Sequence, residues 1–344
     1  MPEYYDGTKL LSISDINGDR PEIFMSTTNR SGGKTTWFSR YLVKRFKNYG
    51  EKFMLLYRFN YELEDCSDKF FKEIKTLFFP DDEMRGVKRA KGIYWELYLN
   101  NVMCGYAVSL NAADQLKKYS HFFADTQRMF MDEFQSETGH YCADEVTKFR
   151  SVHTSVARGG GKQSRYVPVY MCSNPVTLLN PYYVAMGVSS RLDTKTKFLR
   201  GEGWVLEQGY VESAALAQKE SGFNRAFSGD QYDKFLTQAV YLNDSTAFIE
   251  KPSGNSRYLG TLKYKGKEYG LREFGELGII YCDDKPDTSF KYKLSVTTAD
   301  HNVNYVMLKS YRIFLDNMRY FFERGCFRFK NLTCKEVILQ ALSY

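Results

Sequence analysis

Residues 22–36 read EIFMSTTNRSGGKTT, and the reading of the whole chain turns on them. An apolar run (Ile23, Phe24, Met25) leads into a short polar turn, and Gly32, Gly33, Lys34 and Thr35 then open a helical pattern. A strand, a loop rich in backbone N–H groups and a helix N-terminus together make a cradle for phosphate. Thr28, Asn29, Arg30, Ser31, Gly32, Gly33, Lys34, Thr35 and Thr36 are therefore candidate ATP-binding residues. Lys34 would reach the β- and γ-phosphates, and the Thr35 hydroxyl would bind Mg²⁺. One letter departs from the P-loop pattern: Thr28 stands where a glycine is asked for, six residues before the lysine. That glycine permits a tight backbone turn, which a β-branched residue resists. A Gly-rich turn with an ordinary surface lysine accounts for the same letters.

The helical pattern runs over 36–48, with Trp37, Phe38, Tyr41, Leu42 and Phe46 near helical spacing and Gly50 as its stop. Residues 53–58 (FMLLYR) form a continuous apolar run, as in a strand buried on both faces. The run ends in Arg58, where the carboxyl end of a parallel strand would meet the phosphate site. Residues 68–79 read as a helix. The basic stretch Arg85, Lys88, Arg89, Lys91 reads as a solvated loop or a nucleic-acid contact. Residues 93–99 and 102–110 flank Asn100-Asn101 as a β-hairpin.

Residues 122–134 end in MFMDEF, an apolar strand closed by Asp132 and Glu133. Asp-Glu after a strand is often only a helix cap. Coupled to the upstream GGKT it reads as a Walker B element. Asp132 would hold Mg²⁺ through its water shell, and Glu133 would orient or deprotonate the attacking water. Residues 155–165 (SVARGGGKQSR) form a basic, triple-glycine loop, followed by a strand over 166–172. Ser173 and Asn174 at its tip would face the γ-phosphate, although Asn174-Pro175 is also good turn chemistry.

The chain has 344 residues, a formal net charge of +7 and 43% hydrophobic residues, enough for one large domain or two ordinary ones. The mild positive charge leans toward anionic partners. Seven scattered cysteines without a C-x-x-C support neither a disulfide framework nor a zinc site, and His140 with Cys142 lacks a second ligand pair. No secretory leader or membrane-spanning stretch is evident, so a cytoplasmic protein is expected. A last strand of the first domain falls at 204–211, and helical pieces at 212–220 and 232–241. From residue 247 the texture turns to short strands, at 247–250, 258–264, 268–274 and 278–283, with Lys265-Gly266 as a turn. A helix follows over 303–324, closed by Gly325.

The loop at 28–35, MFMDEF at 129–134, CSNPVTLLNPYY at 172–183, FIEKPSGNSRY at 248–258 and GCFRF at 325–329 occur in one order. Together they resemble the small genome-packaging ATPases (encapsidation proteins) of short-tailed, protein-primed phages, over nearly the whole chain. The resemblance implies an α/β fold with three parts. Residues 1–212 would form an ASCE-type P-loop ATPase core with a parallel sheet and an added strand carrying the catalytic glutamate. Residues 213–243 would be a helical linker or lid, and 244–344 a smaller, terminase-like α+β domain of RNase H-like descent that no longer cuts. It implies a homomeric ring, thought pentameric, driving double-stranded DNA into a prohead through its portal in the cytoplasm of an infected bacterium, in some relatives with a packaging RNA. Lys34 and Thr35 match the family's Walker A positions, and Asp132 and Glu133 its Walker B pair. Arg30 matches an arginine inside the loop. Ser173-Asn174 match the segment coupling hydrolysis to movement. Arg158 falls where the family places an arginine that reaches the neighbouring subunit's nucleotide, with Lys162 or Arg165 as alternates. Asp283, Asp284, Asp287 and Asp300 read as solvated turn acids rather than a two-metal nuclease site.

Two other functions fit the same letters. One is a helicase-like nucleic-acid-dependent ATPase, against which a single P-loop and a single Asp-Glu strand weigh. The other is a non-hydrolysing nucleic-acid-binding assembly protein, against which Glu133 weighs.

Overall fold

The computed structural model describes residues 4–159, 161–189, 191–192, 196–226 and 248–342. The chain splits into two compact units, Met1–Met186 with Leu192–Asn243, and Gly187–Arg191 with Asp244–Tyr344. The expected helix at 232–241, the start of the expected strand at 247 and Gly160 of the triple-glycine loop lie outside the described residues.

The first unit is built on one sheet. Its strands are β1 (Ile23–Thr27), β2 (Lys52–Tyr57), β3 (Met84–Arg89), β4 (Tyr94–Leu99), β5 (Val102–Ser109), β6 (Thr126–Asp132), β7 (Val169–Ser173), β8 (Phe198–Gly201) and β9 (Trp204–Gln208). Among the described residues they order as β3-β4-β5-β2-β6-β7-β1-β9-β8. Neighbours from β5 through β9 pair parallel, and β3, β4 and β8 add antiparallel edges. The central strands are apolar on both faces, as helix-covered parallel strands must be, with Phe53, Met54, Leu55, Met129, Met131 and Met171 all buried.

Helix α1 (Lys34–Tyr49) begins after Gly33 at φ 87° and ends at Gly50 at φ 68°, both left-handed positions that suit glycine. Helix α2 (Cys66–Phe78) covers the same face with Phe70, Phe71 and Ile74. The hairpin turn is Asn100-Asn101 at φ 48° and 65°, the two successive positive angles of a type I′ turn. Three of the four basic residues, Arg85, Lys88 and Arg89, lie on β3 rather than in a loop, and Lys91 follows in a 3-10 turn over 90–92. Arg89 pairs with Glu96 at 2.7 Å, Lys88 with Glu64 at 3.4 Å, and the Arg85 guanidinium stacks 4.4 Å over Tyr98.

The added strand of the core is β7, inserted between the P-loop strand β1 and the acidic strand β6. It ends in Ser173, while Asp132 closes β6 and Glu133 follows it. The glutamate expected on the added strand thus sits on its neighbour.

The second unit holds β10 (Arg257–Tyr264), β11 (Lys267–Phe274), β12 (Ile279–Asp283), β13 (Lys293–Ser295), β14 (Val306–Met307) and β15 (Phe327–Phe329), ordered β14-β13-β10-β11-β12-β15. An antiparallel meander β10-β11-β12 with parallel β13 and β14 beyond its first strand is the RNase H-like arrangement. Lys265-Gly266, at φ 50° and 75°, makes its first turn. The core gathers Leu262, Leu271, Cys282, Phe329, Val337 and Ile338.

Two expectations fail here. The helix placed at 303–324 spans only Arg312–Glu323, because Val306-Met307 pair with β13 and Leu308–Ser310 make a single 3-10 turn. Residues 248–250 are turn and bend rather than strand. No described helix is long and apolar enough to cross a membrane.

Candidate nucleotide site

The carboxyl edge of the first sheet brings β1, β6 and β7 side by side, so the residues that follow them meet at one point. A cleft of about 760 Å³ opens there, lined by Lys34, Thr35, Asp132, Glu133, Ser173 and Asn174. Tyr4, Trp37, Arg40, Leu77 and Phe78 also line it, giving the cleft an aromatic and apolar part of its wall.

Thr28 is fully buried, and its backbone does not take a positive φ. Its hydroxyl donates to the Asn29 carbonyl at 3.0 Å. Room for the side chain comes from two glycines elsewhere. A Cβ on Gly32 would lie 2.9 Å from Thr28 Oγ1, and one on Gly209 would lie 3.0 Å from Thr28 Cγ2. The missing glycine at 28 is thus compensated at 32 and 209. Asn29 clasps Val211 reciprocally: Nδ2 donates to the Val211 carbonyl at 3.0 Å, and the Val211 N–H donates to Oδ1 at 2.8 Å. Ser31 takes φ 62°, and its hydroxyl accepts from Gln218 at 3.0 Å.

Lys34 is 6% exposed, and its ammonium donates to Asn174 Oδ1 at 2.8 Å. Burial lowers its pKa, against the pull of the Asp132 and Glu133 carboxylates. Thr35 Oγ1 donates to Asp132 Oδ1 at 3.1 Å, which places the hydroxyl and carboxylate expected to share Mg²⁺ side by side. The donor set is hard oxygen, suited to Mg²⁺ rather than Zn²⁺. Cys172 Sγ donates to the same carboxylate oxygen at 3.0 Å. Burial and Asp132 push that thiol well above its ordinary pKa. Thr36 Oγ1 donates to Glu73 at 3.0 Å.

Glu133 lines the cleft at φ 51°, a left-handed angle unusual for a non-glycine residue. Burial, then Asp132 and Glu137, raises its pKa. The result is a carboxylate poised to accept a proton. Asn174 Nδ2 donates to Glu137 Oε1 at 3.2 Å, and Arg30 pairs with Glu137 at 3.3 Å. Lys34, Asn174, Glu137 and Arg30 therefore form one chain of contacts, and Lys34, Asn174 and Arg30 line the cleft. The Ser173 hydroxyl turns back to the Asn174 carbonyl at 2.9 Å.

Sequence reasoning missed Glu137, which sits in a loop with no periodic signal, and Glu145, whose place after Asp144 looks like an ordinary first-turn acid. Arg158 does not reach this cleft within one chain. It follows helix α3 (Glu145–Ala157) and donates to Ser120 Oγ at 3.1 Å. Arg165 is tied down by donation to the carbonyls of Val156 at 2.7 Å and Thr126 at 3.2 Å. Lys162 bridges Gly159 through its backbone.

A phosphate cradle at a helix N-terminus, an Asp-Glu pair two strands away and an extra strand between them define a P-loop NTPase of the ASCE type. The chain belongs to the Podovirus DNA encapsidation protein (Gp16) family, whose model matches residues 2–343. It is 25% identical over 338 residues to the DNA packaging protein of Bacillus phage phi29, covering 97% of this chain and 95% of that one. Its fold is similar to a chain of the bacteriophage Phi-29 viral genome packaging motor assembly, with a TM-score of 0.71, 22% identity, and 98% and 99% of the two chains covered. The Phi-28 gp11 DNA packaging motor is similar at a TM-score of 0.62 and 15% identity, covering 100% and 99%.

Proposed function

We propose that this chain is the ATPase subunit of a viral packaging motor that drives double-stranded DNA into a preformed prohead. The carrying observation is the convergence of Lys34, Thr35, Asp132 and Glu133 on one cleft at the carboxyl edge of a parallel sheet. Membership of an encapsidation family supplies the substrate class. Lys34 and the N-terminus of α1 neutralise the phosphates. Thr35 and Asp132 would hold Mg²⁺, which when bound supplies charge stabilisation at the β- and γ-oxygens. Glu133 orients the attacking water and takes its proton. Asn174, with Ser173 beside it, registers the γ-phosphate, since binding draws Lys34 away from it. Tyr4, Trp37 and Phe78 receive the base.

The working form is a homomeric ring, pentameric when assembled on the portal, in the cytoplasm of the infected cell. Arg158 reaches the neighbour's nucleotide, and a packaging RNA is a candidate component of the docking site. Residues 1–212 do the hydrolysis, 213–243 form the lid and 244–344 the nucleic-acid-associated part.

That last part is not expected to cut DNA. Its acids are separately engaged: Asp283 with Arg272 at 2.8 Å, Asp284 with Lys330, and Asp300 with the N–H groups of Lys265 and Gly266. Asp287 closes its own turn on Ser289. The adjacent parallel strands β10 and β13 carry Lys263 and Lys293 and no carboxylate.

The test is ATP turnover by the purified protein, with and without duplex DNA and empty proheads. Duplex-stimulated, Mg²⁺-dependent turnover without strand separation is expected. Glu133→Gln should bind ATP and barely turn it over, and Lys34→Ala should lose binding. Strand separation would point to a helicase, and absence of hydrolysis to a binding protein.

A further inference from the structure

Glu133 needs an explanation that the nucleotide site itself does not give: what holds a non-glycine residue at φ 51°? Such an angle persists only where its surroundings over-determine it. On one side the Glu133 N–H donates to Asp132 Oδ1 at 2.9 Å. On the other, Arg58 Nη2 donates to the Glu133 carbonyl at 3.1 Å and to the Phe134 carbonyl at 2.9 Å. Arg58 directly follows β2, the strand beside β6, so its guanidinium lies alongside the loop that leaves β6.

Arg58 is itself anchored. Its Nε donates to both carboxylate oxygens of Glu145, at 3.0 and 2.9 Å. The two side chains are only 9% and 1% exposed. Glu145 also accepts from the Tyr182 hydroxyl at 2.9 Å and from the Cys142 N–H at 3.0 Å. Tyr182 lies on the short helix α4 (Pro181–Met186), which follows the Ser173-Asn174 segment. A second tie runs the same way: Gln135 Oε1 accepts from the N–H groups of Val176 and Thr177, both at 3.0 Å.

We infer that Arg58 is a positioning residue for hydrolysis: with Glu145 and Tyr182 as its mount, it holds Glu133 in the left-handed conformation that aims the carboxylate into the cleft. The inference rests on Glu133 being the group that activates water. It adds that the buried Arg58–Glu145 pair is there for geometry rather than for nucleotide affinity, since the Arg58 guanidinium spends its hydrogen bonds on Glu145 and on the Glu133 and Phe134 carbonyls. The planar fork is what matters. Arg58 meets Glu145 with Nε and the two carbonyls with Nη2, and a lysine, with one nitrogen, cannot occupy both places.

The experiment uses the full chain, with steady-state ATP turnover and binding of a fluorescent ATP analogue with Mg²⁺ measured on the same preparations. Arg58→Met/Glu145→Gln removes the fork without leaving a buried unpaired charge and keeps an acceptor for Tyr182 and Cys142. Arg58→Lys keeps the charge pair and removes only the fork. Both are expected to bind the analogue within about threefold of the parent while kcat falls about 10²-fold, as for a misplaced catalytic group. A role in charge pairing alone predicts that Arg58→Lys restores turnover. Parental kcat in either folded variant overturns the inference, and so does a loss of affinity as large as the loss of kcat. Glu133→Gln is run beside them: if it is inactive while the Arg58 variants are fully active, this inference alone fails. Parental turnover by Glu133→Gln would instead remove the assignment of Glu133, and this inference with it.

Discussion

The fit between Thr28 and its two glycines can be tested by putting back one Cβ. Gly32 has no positive φ, so Gly32→Ala meets no backbone penalty, only atoms. The new methyl would stand 2.9 Å from Thr28 Oγ1, 3.0 Å from Val211 Cγ2 and 3.3 Å from the Asn29 carbonyl. The carbonyl is backbone, and the other two side chains are buried, so none can swing into solvent. Overpacking of this kind costs about 1–3 kcal/mol. Because the strain lands on the phosphate loop, the cost should appear as nucleotide affinity lowered by about 5- to 150-fold. Thr28→Gly opens the space that Gly32→Ala needs, at the expense of a buried methyl and hydroxyl. The double variant should therefore bind better than the two single losses predict, with recovery incomplete because Val211 still stands 3.0 Å away. The assay is a double-mutant cycle on the Kd of a fluorescent ATP analogue, with a thermal melt of each variant to separate loop strain from unfolding. Strict additivity of the two losses would refute the compensation. So would a Gly32→Ala chain that binds nucleotide like the parent.

Burial, Asp132 and Glu137 raise the Glu133 pKa, and a base works only when ionised, so turnover should fail at a higher pH than for an ordinary glutamate as the solution is acidified. Glu137→Gln removes one of those charges and should move the acid limb of kcat to lower pH; a limb that does not move removes this account. The same raised pKa means that ionised Glu133 weighs against folding above that pKa, and the penalty fades as pH falls through it. Glu133→Gln should consequently melt no lower than the parent at neutral pH, and a clear drop in Tm would contradict the sign. For Arg158, subunits carrying Arg158→Ala and subunits carrying Glu133→Gln should each be nearly inactive alone and partly recover turnover when mixed in one ring; mixed rings that stay inactive dispose of the trans role.

How much of this was legible beforehand depends on whether a residue acts through its own chemistry or through its neighbours. Lys34, Thr35, Asp132 and Glu133 could be picked out as candidates because phosphate, metal and water each demand a particular functional group at a strand end, and the fold brings the four to one cleft. The parallel core was readable for a similar reason: FMLLY and MFMD are apolar without alternation, which only a sheet covered on both faces requires. Thr28 was misjudged as a flaw because what accommodates it lies at Gly32 and at Gly209, far along the chain. The basic residues 85–89 hid an edge strand, since the partners Glu96 and Glu64 come from other elements. Residues 303–311 passed for helix because two residues pairing with β13 leave no period to count. Arg58 and Glu145 show the limit most clearly. As letters they are a strand-end arginine and a first-turn acid, each with an ordinary explanation. Only the fold sets a guanidinium from the end of β2 against the carbonyl that follows β6, and only the left-handed angle of Glu133 shows that the contact has something to hold. A catalytic group announces itself in a sequence. The residue that aims it becomes visible through the strain it maintains.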